Sequence, residues 1–249
     1  MAFAVSDLIS KVRSRADLVG SAFITDTEIT EFLNVGWAKL YDLLTTLYED
    51  FNLTSTQLVL QSGVNSYSLA GLTPIVYKLR GVDLQLSSAV NDVLPLPKFD
   101  WAERGKYVGL PNAWVGRYSS ELRYLYQGTN LKFVPVPSGG QTVTVNYVPA
   151  LTPLAAPVGG SQPAGTQNTL PEIIQAGWEE LIVLEAAVLC AVKEEGMAGN
   201  LAVLKVLRDE TKNDIEGAAA NRDADAPMRL IKRADQMRTW WSDNDGGSW

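Results

Sequence analysis

The sequence predicts an α+β protein: an antiparallel four-helix bundle, two helices from each end of the chain, with a small antiparallel β domain inserted and an extended C-terminal arm. Two observations carry this. Eleven of the twelve prolines lie between Pro74 and Pro171 and the other is Pro227, so residues 1–73 and 172–226 lack the residue that breaks helices. Apolar residues repeat at helical spacing within those two stretches and at a period of two between them.

The elements follow in order. Ser6 reads as an N-cap before Leu8, Ile9, Val12, Ala16 and Val19, a stripe ending near Gly20. Thr25-Asp26-Thr27-Glu28 has capping-box spacing, in which the Thr25 and Glu28 side chains satisfy each other's backbone N–H groups. From there Ile29, Leu33, Trp37, Leu40, Leu44 and Leu47 hold one face to about Phe51. Gly36 interrupts this helix at a cost of about 1 kcal/mol relative to alanine, which points to another helix packed close against it.

After Asn52 the period becomes two. Gln57–Leu60 and Ser66–Leu69 are expected to form a hairpin through Gly63-Val64-Asn65. Tyr77–Leu86 is a longer strand. Glu121–Gln127 and Leu131–Val134 make a second hairpin about Gly128-Thr129-Asn130, and Thr142–Val148 is expected to pair with it. Leu94 to Tyr118 is irregular and carries Trp101, Tyr107 and Trp114.

Residues 149–170 hold almost no charge and are rich in proline, glycine, alanine, serine and threonine, the composition of a linker or extended loop. Pro171 sits where a first-turn proline belongs, and a helix is expected from there to about Glu195. Gly196 to Gly199 turn the chain, Asn200 caps, and Leu201, Leu204, Leu207 and Ile215 mark a fourth helix ending at Ala218–Ala220. Neither helix pair covers its own apolar stripe, so the two are expected to meet across the insertion. Ile29, Leu33, Trp37, Leu40, Leu44, Trp178, Leu181, Leu184 and Leu204 are the candidate bundle core. The expected division is 1–52 with 171–220 as the bundle, 53–148 as the β domain, 149–170 as the loop and 221–249 as the arm.

The arm is the most informative constellation. Three of the seven tryptophans lie in the last ten residues, and large apolar side chains at a terminus need somewhere to dock. Met228–Met237 reads as a short basic helix. Arg222, Met228, Arg229, Leu230, Lys232, Arg233, Met237, Arg238, Trp240, Trp241 and Trp249 are the candidate anchors for a partner's groove. Five aspartates balance the arm's five cations, which favours protein over nucleic acid as that partner.

Composition closes off most chemistry. The chain has no histidine, so Ser-His-Asp triads and His-containing metal sites are excluded. Its one cysteine, Cys190, excludes disulfide frameworks within the chain and reads as a buried, inert thiol. No apolar run is long enough to span a membrane, and Asp7, Lys11, Arg13 and Asp17 spoil any signal-peptide pattern, so the expected setting is a reducing cytoplasm. No nucleotide, phosphate-loop or nucleophile-elbow motif occurs, and no cofactor is expected.

Glu179-Glu180 and Glu194-Glu195 are adjacent on helices, diverge by about 100°, and are expected on solvated or inter-subunit faces. Asp243-Asn244-Asp245-Gly246 lacks the remaining ligands of a calcium loop. An alternative function uses the β domain as a cell-wall hydrolase or carbohydrate-binding module, with Glu103 paired to Asp100 or Glu121.

Several segments carry a resemblance. Phe23-Ile24-Thr25-Asp26-Thr27-Glu28-Ile29-Thr30, followed by Phe32-Leu33-Asn34 and Leu40-Tyr41-Asp42-Leu43-Leu44, resembles the N-terminal helices of tailed-bacteriophage head-to-tail adaptor proteins. Tyr77-Lys78-Leu79-Arg80-Gly81-Val82-Asp83-Leu84 is similar to a segment in their middle. Gly177-Trp178-Glu179-Glu180 through Ala191-Val192-Lys193-Glu194-Glu195 resembles their third helix, and Glu216 to Ala224 the segment before their C-terminal arm. The resemblance spans roughly residues 6–235.

It implies a non-enzymatic structural protein in the virion neck, assembled from the host cytoplasm. It also implies a homo-oligomeric ring, usually of twelve copies, that meets the portal protein through its C-terminal arm and a downstream tail or nozzle protein at the other side. Genomic double-stranded DNA would pass through without specific binding.

Charge fits that expectation. The net charge of −7 is uneven: residues 1–50 carry 4 cations and 8 anions and residues 171–220 carry 4 and 10, whereas residues 51–170 carry 8 and 5. The acidity belongs to the helices, as expected of a channel wall that repels DNA, whose duplex carries about one negative charge per 1.7 Å.

Overall fold

The structure, a computed structural model, describes residues 3–86, 92–103, 122–155, 167–171, 174, 177–194 and 198–222. It is an α+β fold with four helices among the described residues and two antiparallel sheets.

Helix α1 (Val5–Arg15) begins one residue before Ser6. Ala4 flanks it with no side-chain cap, and the Val5 N–H instead donates to the Asn168 carbonyl at 2.9 Å, so Ser6 does not cap. Helix α2 (Asp26–Leu47) opens with the capping box complete: the Glu28 N–H donates to Thr25 Oγ1 at 3.3 Å and the Thr25 N–H to Glu28 Oε2 at 3.0 Å. It ends at Leu47, short of Phe51, because Tyr48 is extended and Asn52 turns the chain with φ of 52°.

Helix α3 (Glu179–Lys193) starts well after Pro171. Gly177, at φ of 103°, lies just ahead of it, and its N–H donates to Glu179 Oε2 at 2.6 Å. Helix α4 (Ala198–Arg222) takes Asn200 into its first turn rather than as a cap and runs past Ala220. Helix α3 touches the other three helices. Its fit against α2 depends on Gly36, where a Cβ would lie 2.8 Å from the Ile182 carbonyl oxygen.

Among the described residues seven strands complete the fold: β1 (Thr54–Val59), β2 (Ser66–Ser68), β3 (Val76–Gln85), β4 (Val93–Pro95), β5 (Arg123–Gln127), β6 (Asn130–Val134) and β7 (Thr142–Pro149). One sheet has the order β1-β7-β3-β4 and the other β2-β6-β5. The hairpin β5–β6 pairs Gln127 with Asn130 across Gly128-Thr129.

Two expected pairings are corrected. Strands β1 and β2 do not form a hairpin, because they lie in different sheets. Leu60 continues β1 onto the approach to β7, donating to Gln141 and accepting from Gly140, while Tyr67 packs edge-to-face on Phe133 of β6 at 5.7 Å. Strand β7 does not join β5–β6 but lies between β1 and β3. Pro135 and Pro137 cannot extend the β6 ladder. Gly139, at φ of 92° and with a Cβ position 2.7 Å from the Ser62 nitrogen, turns the chain across to the other sheet. Strand β4, unexpected from its sequence, aligns Val93 with Gln85.

The two apolar clusters meet at β7. Val143, Val145 and Tyr147 belong to the cluster between the sheets, and Val148 to the helical one. The helical cluster also takes in Leu154 and Leu170, so the described ends of the 149–170 stretch are packed.

Candidate functional site

Helix packing decides where the charges fall. The two carboxylates that open α3 favour its N-terminus electrostatically, but Glu179 is buried, 7% exposed, rather than solvated. Helix α1 lays Lys11 over it at 3.2 Å, and Arg15 meets Glu180 at 2.7 Å. Glu185, 8% exposed, holds Lys39 of α2 at 2.7 Å and lies 3.9 Å from Arg208 of α4. At the far end Lys193 binds Glu28, and that hydrogen bond, with the Thr25 N–H, lowers the Glu28 pKa to about 2. These pairs tie α3 to each neighbouring helix. Glu31, Asp209, Glu210 and Asp214 remain exposed.

The joint between helices and sheet is made by β3. Lys78 and the Tyr77 hydroxyl both donate to Asp42 Oδ1, at 2.7 and 2.9 Å. Those two bonds, Lys78's the stronger, hold the Asp42 carboxyl below its usual range, and the Asp42 carboxylate in turn pushes the Tyr77 hydroxyl up. The Arg80 guanidinium donates to the carbonyl of Thr45, in the last turn of α2, and to that of Tyr48, which also accepts from the Phe51 N–H.

Beside this joint lies a cavity of about 260 Å³, lined by Trp37, Tyr41, Asn52, Thr54, Pro74, Gln167, Pro171 and the chain from Pro149 to Thr152. The Tyr41 hydroxyl donates to the Pro149 carbonyl at 2.6 Å and accepts from Asn52 at 3.0 Å. Burial pushes the Tyr41 hydroxyl up from its ordinary value. Trp37 Nε1 and Gln167 Nε2 both donate to the Thr152 carbonyl, at 3.3 and 3.2 Å.

Ile29, Leu33, Trp37, Leu40, Leu44, Trp178, Leu181, Leu184 and Leu204 are all buried in the helical cluster. Arg222 is the last residue of α4. The other candidate anchors, Met228, Arg229, Leu230, Lys232, Arg233, Met237, Arg238, Trp240, Trp241 and Trp249, lie outside the described residues, as do Tyr107, Trp114, Glu195 and Asp243–Gly246. Of the suggested acid pair, Asp100 is exposed, Glu121 lies outside the described residues, and the Glu103 side chain is likewise undescribed. Cys190 is buried, and burial pushes its thiol up to about 11.

Among the described residues no His, Cys, Asp or Glu group is arranged to hold a metal ion, and no helix is long and apolar enough to cross a membrane. The roles of Arg80, Asn52 and buried Glu179 have no local signal in the sequence, since each depends on a partner brought in from another element.

The acidic helical layer, the sheet joined to it, and the chain continuing beyond α4 form the setting for comparison with known proteins. A profile of the family described as SU10 adaptor protein matches residues 3–243. No curated protein matches the chain. The match takes in all four helices and both sheets, and on that extent the chain belongs to the SU10 adaptor protein family, the structural proteins that join phage head to tail.

Proposed function

We propose that the chain forms a homo-oligomeric ring of twelve copies beneath the portal vertex, continuing the DNA channel to a downstream tail or nozzle protein. The observation that carries the reading is the family match running from residue 3 to residue 243, through both helical halves and most of the C-terminal arm. Residues 1–52 and 171–220 act as a four-helix bundle forming the subunit walls. Residues 53–148 are the β domain facing the next tail component, residues 149–170 the connecting loop, and residues 221–249 the arm that meets the portal.

The exposed carboxylates of α2 and α4 support a wall that conducts duplex DNA without holding it, since like charges repel at short range. Symmetry multiplies weak arm contacts, so a ring forms where a portal is already present. The protein acts in the virion neck after assembling from the host cytoplasm.

The test mixes the purified chain with DNA-filled, tailless capsids and images them by electron microscopy. Ring density at one vertex is the expected result. Capsids that stay bare at every vertex would refute the reading.

A further inference from the structure

The cavity beside α2 has the chemistry of a receptor for one particular side chain. Its floor is aromatic, from Trp37 and Tyr41, and Pro74, Pro149 and Pro171 supply flat apolar walls. Two amide side chains, Asn52 and Gln167, complete it. The Tyr41 proton is committed to the Pro149 carbonyl, so Asn52 must present its amide nitrogen to Tyr41, which turns Asn52 Oδ1 away from that bond. Gln167 spends its amide nitrogen on the Thr152 carbonyl in the same way. Asn52 is held there with φ of 52°, a backbone conformation few side-chain-bearing residues adopt.

A site with aromatic and proline walls, lined as well by the amide side chains of Asn52 and Gln167, suits a flat, large apolar group bearing one N–H. Among the side chains that is the indole of tryptophan, whose N–H seeks an acceptor when buried.

The course of α4 brings such a group to this end of the molecule. Arg208 stands opposite Glu185. Six residues back along α3 is Glu179, and seven residues on along α4 is Ile215, buried in the same cluster as Trp178. With 25 residues against 15, α4 outruns α3 at the end where α3 begins, eight residues after Pro171 of the cavity. Trp240 follows Arg222 by eighteen residues, a reach of up to roughly 60 Å when extended. We propose that the cavity receives Trp240 or Trp241 of the chain's own C-terminal segment, so that the arm has a docking place on its own subunit in addition to any partner.

The test uses the full chain carrying Thr54→Cys at the cavity rim and Ser242→Cys beside the tryptophan pair, oxidised in dilute solution with oxidised glutathione. Cys190 is buried with its thiol pushed up to about 11, so it does not compete. The expected result is a disulfide within one chain, formed at least tenfold faster than in a control with Val203→Cys at the far end of α4 in place of the rim cysteine. Adding Trp240→Ala and Trp241→Ala should slow it by a similar factor. Rates equal to the control, cross-links only between chains, or no effect of removing the tryptophans would each overturn the proposal. Capsid binding is scored separately, so this failure is distinct from failure of the adaptor reading.

Discussion

Ile182 leaves no room for a side chain at Gly36: a Cβ there would fall 2.8 Å from the Ile182 carbonyl oxygen and 3.1 Å from its Cα. Both contacts are to backbone, which cannot swing aside as the tip of a side chain can. The glycine is therefore a packing requirement between α2 and α3, not a weakness of α2.

Gly36→Ala is expected to destabilise the protein by about 1–3 kcal/mol, the usual cost of overpacking, although alanine alone favours a helix by about 1 kcal/mol. Urea unfolding measures the balance. A midpoint above that of the parent would mean the two helices do not approach this closely.

Glu28 makes stability depend on acid. Lys193 and the Thr25 N–H lower its folded pKa from 4.5 to about 2, so the unfolded chain takes up the proton first. Its contribution is complete above pH 4.5 and is lost as pH falls towards about 2. Thermal melts across that window should fall less steeply for Glu28→Gln than for the parent. Parallel curves would assign the acid sensitivity elsewhere.

Arg80→Met keeps much of the length and apolar stem of the side chain while removing its bonds to the Thr45 and Tyr48 carbonyls. The expected cost is about 1–3 kcal/mol, the usual penalty for leaving a buried polar group, here the Thr45 carbonyl, unsatisfied. Hydrogen exchange should rise at the end of α2 and along β3. An unchanged exchange pattern would show that the guanidinium does not hold that joint.

Deleting residues 223–249 is expected to leave the far-ultraviolet circular dichroism of the remaining chain native while abolishing its binding to isolated portal rings. Retained binding would remove the arm from the assembly mechanism.

Legibility in the sequence tracks how local the interaction is. Thr25 and Glu28 are three residues apart, and their capping box is complete in the structure. Gly36 was legible as a close contact because glycine inside an amphipathic helix is costly unless something needs the space. Strand pairing beyond the local β5–β6 hairpin was not, because β1 chooses β7, more than eighty residues away, over its neighbour β2. Alternation within each strand says which residues face inward but not which edge they meet. Glu179 looked solvated for the same reason, since Lys11 reaches it from another helix. The cavity draws on positions from Trp37 to Pro171, and no short window of sequence holds its outline.

Tyr147 and Val148 are consecutive on β7, point to opposite sides, and are each buried in a different apolar cluster. The strand thus works as a tie rod through two masses. Neither mass can peel away without dragging out the residue that seals the other, so tension applied to the sheet is handed directly to the helices. A subunit built this way is expected to melt in a single transition on heating.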